Sequence, residues 1–219
     1  MARHFQIELD KLKKRILALG AMVEDRVRRA AKAIESREIF DARQIVKSDY
    51  EVDVEEVEIE EECLKILALY QPVAVDLRFI IATIKINSEL ERIADEAVNI
   101  AQRMKQVIKK QNGCSVIYDY SQMAEKVREM LKKSLDALVN IDVDLAFKIL
   151  LLDDEVDKLY VEMYNRFKDD LKKEPEYVEY FTNMFLIARH LERIGDHATN
   201  IAEEVIYLIE GEIVRHGNY

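Results

Sequence analysis

The sequence predicts an all-α protein of six long helices arranged as two tandem three-helix bundles, and three observations carry that expectation. Apolar residues recur every three or four positions through nearly the whole chain, the mark of amphipathic helices. Turn-formers are scarce, with 5 Gly and 2 Pro in 219 residues, and Glu, Lys, Leu, Ala and Arg dominate, as they do in helix-rich proteins. LERIADEAVNIA at 90–101 returns as LERIGDHATNIA at 191–202, nine of twelve letters identical, so the unit is duplicated.

The helices are expected near 4–35, 38–70, 73–110, 119–140, 142–172 and 175–210. The first follows from its period alone. The second carries an apolar arc of Ile45, Val46, Val52, Ile59, Cys63, Leu64 and Leu67. Pro72 opens the third, where a missing backbone donor costs nothing, and Asn112-Gly113 ends it. Asp119 or Ser121 can cap the fourth. The fifth shows an arc of Ile149, Val156, Met163 and Phe167, and Pro175 opens the sixth as Pro72 opens the third. A linker near 111–118 divides a first copy at 1–112 from a second at 113–219. Asp49-Tyr50-Glu51-Val52-Asp53 echoes Asp153-Asp154-Glu155-Val156-Asp157, again one helix before the proline.

Charge narrows the function. A net charge of -10 argues against sequence-independent nucleic-acid binding, which draws its affinity from clustered Lys and Arg. Cations or basic protein surfaces suit it better. The start MARHFQIELDK lacks the apolar core of a signal peptide, and no stretch approaches the roughly 20 apolar residues of a membrane span, so a cytoplasmic protein without membrane insertion is expected. Cys63 and Cys114 lack the paired spacings of a zinc site or a disulfide framework and are expected to be unlinked thiols.

The acids are unusually placed. Asp49, Asp53, Glu56 and Glu60 project into the apolar arc of the second helix, whereas Glu51, Glu55, Glu58 and Glu62 project to the opposite face. On the third helix Glu91 and Asp95 flank the seam of Leu90, Ile93, Ala97 and Ile100, beside Asn99. Asp153 and Asp157 repeat the pattern in the second copy, with Glu192 and Asp196 flanking the last helix and Tyr160 and Tyr164 in place of Glu56 and Glu60. Residues four apart are neighbours on a helix, so each pair brings two carboxylates together, which repel unless a cation intervenes. If these faces meet, one copy gathers six carboxylates and the other four carboxylates with two phenols. Oxygen-rich sets suit hard cations such as iron, manganese, magnesium or calcium. Lysines, arginines and water could satisfy the same acids.

Catalysis has little support. Di-iron bundles use Glu-x-x-His motifs, which neither His190 nor His197 completes, and no glycine-rich phosphate loop, nucleophile elbow or cysteine pair stands elsewhere. His190 and His197 project to the same polar face as Glu89 and Glu96 and are expected at the surface. Asn99 and Asn200 suit interhelical hydrogen bonds, and Tyr160 and Tyr164 the edge of the core.

QPVAVDLRFIIATIKINSELERIADEAVNIA at 71–101, with its second copy ending HLERIGDHATNIAEEV, resembles the PhoU family across essentially the entire chain. The resemblance implies two three-helix bundles side by side, each with an acidic motif, here Glu91 with Asp95 and Glu192 with Asp196. It implies that neighbouring acids, Asp49 and Asp53 or Asp153 and Asp157, can join them in multinuclear metal clusters of iron or another hard divalent cation. It also implies a non-enzymatic negative regulator of high-affinity phosphate transport and of its sensor-kinase signalling. The implied partners are the transporter ATPase, the sensor kinase and a second copy of the chain. A carboxylate-rich metal-storage protein or metal-dependent enzyme, and a purely structural helical adaptor, are the alternatives.

Overall fold

The computed structural model describes residues 2–37, 45, 49–111 and 113–211. The expected start of the second helix, including Val46, and Asn112 lie outside the described residues, and of Asp49 only the backbone is described. The described residues form six long helices: α1 (Ala2–Ser36), α2 (Asp49–Tyr70), α3 (Ala74–Lys110), α4 (Ser121–Asn140), α5 (Val143–Lys173) and α6 (Val178–Glu210). Among the described residues there is no strand.

Each helix follows from its own pattern. α1 buries Leu9, Leu12, Ile16, Leu19, Val23, Val27 and Ala30, a three-four spacing that makes one straight seam. Burying each of the Leu, Ile and Val side chains contributes about 1.5–3 kcal/mol relative to leaving it in water. Helices α3 and α6 bury far wider arcs, because each is packed on more than one side. α5 buries only Ala146, Ile149 and Val156 and is an outer helix.

The terminators differ in detail from the expected ones. α3 begins at Ala74, two residues after Pro72, and Pro175 opens a 3-10 turn, Pro175–Tyr177, that leads into α6. At the start of α4 the Asp119 carboxylate accepts a hydrogen bond from Ser121 N at 2.9 Å, so Asp119 rather than Ser121 satisfies that end. Between α4 and α5 the turn is only two residues long. Ile141 takes the left-handed conformation (φ 52°) and closes α4, while Asp142 caps α5 by accepting from Leu145 N at 2.9 Å.

Helices α1, α2 and α3 pack on one another as one bundle and α4, α5 and α6 as the other. The bundles join along α3 and α6, the most extensive helix pair, and along α1 and α4. Lys85 meets Glu204, Glu89 meets His197 and Glu96 meets His190, so α3 ascends as α6 descends. Gly20 faces α4 across this contact, where a Cβ would stand 2.7 Å from Leu135 Cδ2.

Candidate functional site

In the first copy the acids lie beside the buried seam of α2 and not within it. Val52, Ile59, Cys63 and Ile66 are buried, whereas Asp53 and Glu60 are exposed and Glu56 is half-buried. Leu64, expected in the arc, is 54% exposed, so the arc is narrower than the sequence implied. Glu55 and Glu58, expected on a solvated face, face α1 and share Arg15, at 2.8 and 2.5 Å. Glu91 on α3 is half-buried, and its carboxyl is raised by burial and then by the charges of Asp95, Glu56 and Asp53. Glu56 is raised by burial and by Glu60 and Asp53. The acids of α2 and α3 therefore share one field.

The second copy concentrates the same effect. Burial, then Asp196 and Asp157, push Asp153 up to about 6. Burial, then the same two carboxylates, push Glu192 up to about 7. Asp196 is raised by burial and by Asp157. Tyr160 and Tyr164 do not join this set. They pack with Phe167 on the ring of Phe185, at 5.5, 5.6 and 5.1 Å between centroids, and form the edge of the core.

Partly desolvated carboxylates that repel one another favour protonation or a positive partner. Among the described residues no Lys, Arg or His forms an ion pair with Asp53, Glu56, Glu60, Glu91, Asp153, Asp157, Glu192 or Asp196. The nearest arginines of the motif are engaged elsewhere, Arg92 with Glu89 at 3.7 Å and Arg193 with Glu96 at 2.9 Å. The donor set, all carboxylate oxygen, fits a hard divalent cation. Among the described residues the side chains do not converge into a group of three that could hold a metal ion.

His190 and His197 are not surface residues. The polar face they share with Glu89 and Glu96 is the contact between α3 and α6. His190 Nδ1 lies 2.6 Å from Glu96 Oε2, and His197 Nδ1 lies 2.7 Å from Glu89 Oε2. Glu89 also accepts from Asn200 Nδ2 at 3.0 Å, and Glu96 from Asn99 Nδ2 at 3.4 Å, so the two asparagines hydrogen-bond across and along the helices. Hydrogen bonds from these histidines hold both glutamates below the usual range against the cost of their burial. An ionised carboxylate only accepts, so each imidazole is assigned Nδ1–H as donor. Lys85 completes the seam with both oxygens of buried Glu204, at 3.2 and 3.0 Å.

Sequence reasoning missed this seam, although a signal was present. Aligning Leu90 on Leu191 places Glu89 opposite His190 and Glu96 opposite His197. An acid in one copy and a histidine in the other, twice, suits two antiparallel helices related by a twofold. Cys63 and Cys114 are buried free thiols, and burial pushes Cys63 up to about 12, which makes it unreactive.

Fold and site define a class: a duplicated three-helix protein with an acidic flank on each copy and a charged seam between them. A family model described as the PhoU domain matches residues 16–104 and again residues 120–205. A phosphate-specific transport system accessory protein PhoU homolog of Clostridium acetobutylicum is 35% identical over 211 residues, covering 96% of each chain. One from Aquifex aeolicus is 36% identical over 209 residues, covering 95% of this chain and 94% of the relative. The crystal structure of PhoU from Pseudomonas aeruginosa superposes with a TM-score of 0.90 at 36% identity, covering 95% of this chain and 100% of that one. The phosphate transport system regulatory protein PhoU from Streptococcus pneumoniae superposes with a TM-score of 0.87 at 30% identity, over 96% and 99% of the two chains. The chain belongs to the PhoU family of phosphate-transport accessory proteins. No helix among the described residues is long and apolar enough to cross a membrane.

Proposed function

We propose that this protein is a cytoplasmic, non-enzymatic regulator that restrains high-affinity phosphate uptake and the associated sensor-kinase signalling when phosphate is plentiful. The observation that carries this is the match of both copies, over nearly the full chain, to accessory and regulatory proteins of phosphate transport. The partners we propose are the transporter's ATPase and the sensor kinase, with a second copy of the chain completing a homodimer. Rigid paired bundles suit a docking scaffold, and their acidic surface would steer basic partner faces by an attraction that weakens with salt.

In this reading the acidic flanks hold hard cations. Glu91 and Asp95 with Asp53, and Glu192 and Asp196 with Asp153 and Asp157, would be the ligands, and the bound charge would relieve their mutual repulsion and stiffen the flank. The decisive experiment deletes the gene in its own host and restores it on a plasmid. Loss should leave phosphate uptake and a kinase-dependent reporter high in phosphate-rich medium, and the intact gene should return both to low. Uptake and reporter that stay repressed without the gene would contradict the proposal.

A further inference from the structure

At one end of the molecule the α6 C-terminus, the α3 N-terminus, α1 and the α4–α5 turn line a half-open pocket of about 370 Å³. Its walls are largely apolar, from Leu9, Ile16 and Leu17 of α1, Phe79 of α3, Leu138 of α4 and Ile209 of α6. Concave, mostly apolar spaces of roughly 300–1,000 Å³ with a few placed polar groups are the usual form of small-molecule sites.

The polar groups here are two cations, one carboxylate and one amide. Lys13 and Arg78 line the pocket with Gln6 and Asp76. In a chain of net charge -10, neither cation forms an ion pair among the described residues. Lys13 Nζ sits 5.2 Å from the centre of the Phe79 ring. Arg78 Nε reaches Leu208 O at 3.4 Å, a long hydrogen bond, and its guanidinium lies against Gly211. Asp76 forms no ion pair with either.

The second copy supplies the comparison. The alignment of Leu90 on Leu191 places Phe79 opposite Tyr180, Ile80 opposite Phe181 and Arg78 opposite Glu179. Tyr180 and Phe181 are wholly buried, and Tyr180 Oη donates to Val116 O at 2.8 Å. Glu179 is paired with Lys110. At these positions one copy buries aromatic rings and pairs its acid, whereas the other lines an apolar space with a half-buried Phe79 and a guanidinium whose hydrogen bond is the long one to Leu208 O.

We propose that this pocket binds a medium-chain fatty-acid anion, its tail against Ile16, Leu17, Leu138 and Ile209 and its carboxylate between Lys13 and Arg78. The planar guanidinium fork matches a carboxylate, and the apolar lining beside it suits an acyl tail. The site is separate from the acidic flanks, and the inference does not rest on the transport reading.

Calorimetric titration of the full-length protein with decanoate, below its micelle concentration, tests this. Saturable binding of one molecule per chain is expected, with decanol at least about tenfold weaker. The Lys13→Gln/Arg78→Gln double variant should lose about tenfold for decanoate and leave decanol unchanged, and Leu17→Trp, which fills the pocket, should lose both. Lys13→Gln alone, an exposed change, stands in should either other variant fail to show a native helical spectrum. Non-saturable uptake of many molecules, equal affinity for decanol and decanoate, or undiminished decanoate binding by the charge variants would overturn the proposal.

Discussion

His197 of α6 and Glu89 of α3 lie 2.7 Å apart across the contact between the two bundles, and their repeat counterparts Glu96 and His190 lie 2.6 Å apart. The two pairs are the same interaction seen from either copy. An acid-histidine pair that recurs with its ends exchanged fixes the register of two antiparallel helices, since sliding one helix by a turn would break both pairs together. The seam therefore specifies how the bundles join, while the apolar core supplies most of the energy that holds them.

Removing one partner tests that role. Glu89→Gln should destabilise the protein by about 1–3 kcal/mol, because His197 and Asn200 would face a neutral acceptor in a largely buried site. His197→Ala should cost a similar amount, and the double variant less than the sum of the two. Urea unfolding of the four proteins in a double-mutant cycle measures the coupling, and additive losses would show that the pair is not an interaction.

The acidic flanks give the metal-free protein an unusual pH dependence. Asp153 at about 6 and Glu192 at about 7 hold protons in the folded state that the unfolded chain has released. Stability should therefore fall as pH rises from about 4 to about 7. Each pKa unit is about 1.4 kcal/mol before solvent screening. Both groups are partly exposed, so the two together come to on the order of 2 kcal/mol. Glu89 and Glu96 act in the opposite sense, since their values are lowered and their contribution disappears only as pH falls below the ordinary 4.5. Thermal melts from pH 3.5 to pH 8 in the presence of a chelator should show the resulting maximum on the acid side of neutrality.

A hard cation should remove that dependence. At about a hundredfold excess over its Kd, manganese(II) should stabilise the protein by about 2.7 kcal/mol per site at pH 7.5. The Glu192→Gln/Asp196→Asn variant should melt higher than the parent without metal, because repulsion is relieved, and gain less when metal is added. A variant that gains as much as the parent would place the cation elsewhere.

Two helical glycines should respond in opposite ways. Gly195 stands where the first copy has Ala94, and an added Cβ would meet its nearest neighbours, Asp153 and Val156, at an ordinary 3.6 Å. Gly195→Ala should stabilise by about 0.5–1 kcal/mol through helix propensity. At Gly20 the same change would drive a methyl to 2.7 Å from Leu135, so Gly20→Ala should destabilise. Melting temperatures of the two variants decide both.

Helix number and order were legible in the sequence because each helix carries a long period, and the two copies confirmed each other at Leu90 and Leu191. The shoulders of the buried faces were less legible. Leu64 and Glu55 exchanged roles because an ideal projection assumes one neighbour, whereas α2 touches α1 on one side and α3 on the other. His190 and His197 were misplaced for a related reason. A polar face reads as solvated until its partner is known, and the partner here was the other copy's own polar face. The acidic pairs Glu91 with Asp95 and Glu192 with Asp196 were visible from spacing alone, since a four-residue step fixes neighbours without tertiary knowledge.

Whether the repeated acidic flanks take a positive partner can be seen in anomalous diffraction from crystals grown with manganese(II). Peaks are expected within ligand distance of Glu192 and Asp196, and of Glu91 and Asp95. Well-ordered carboxylates at both flanks with no anomalous peak, carrying only water, would contradict it.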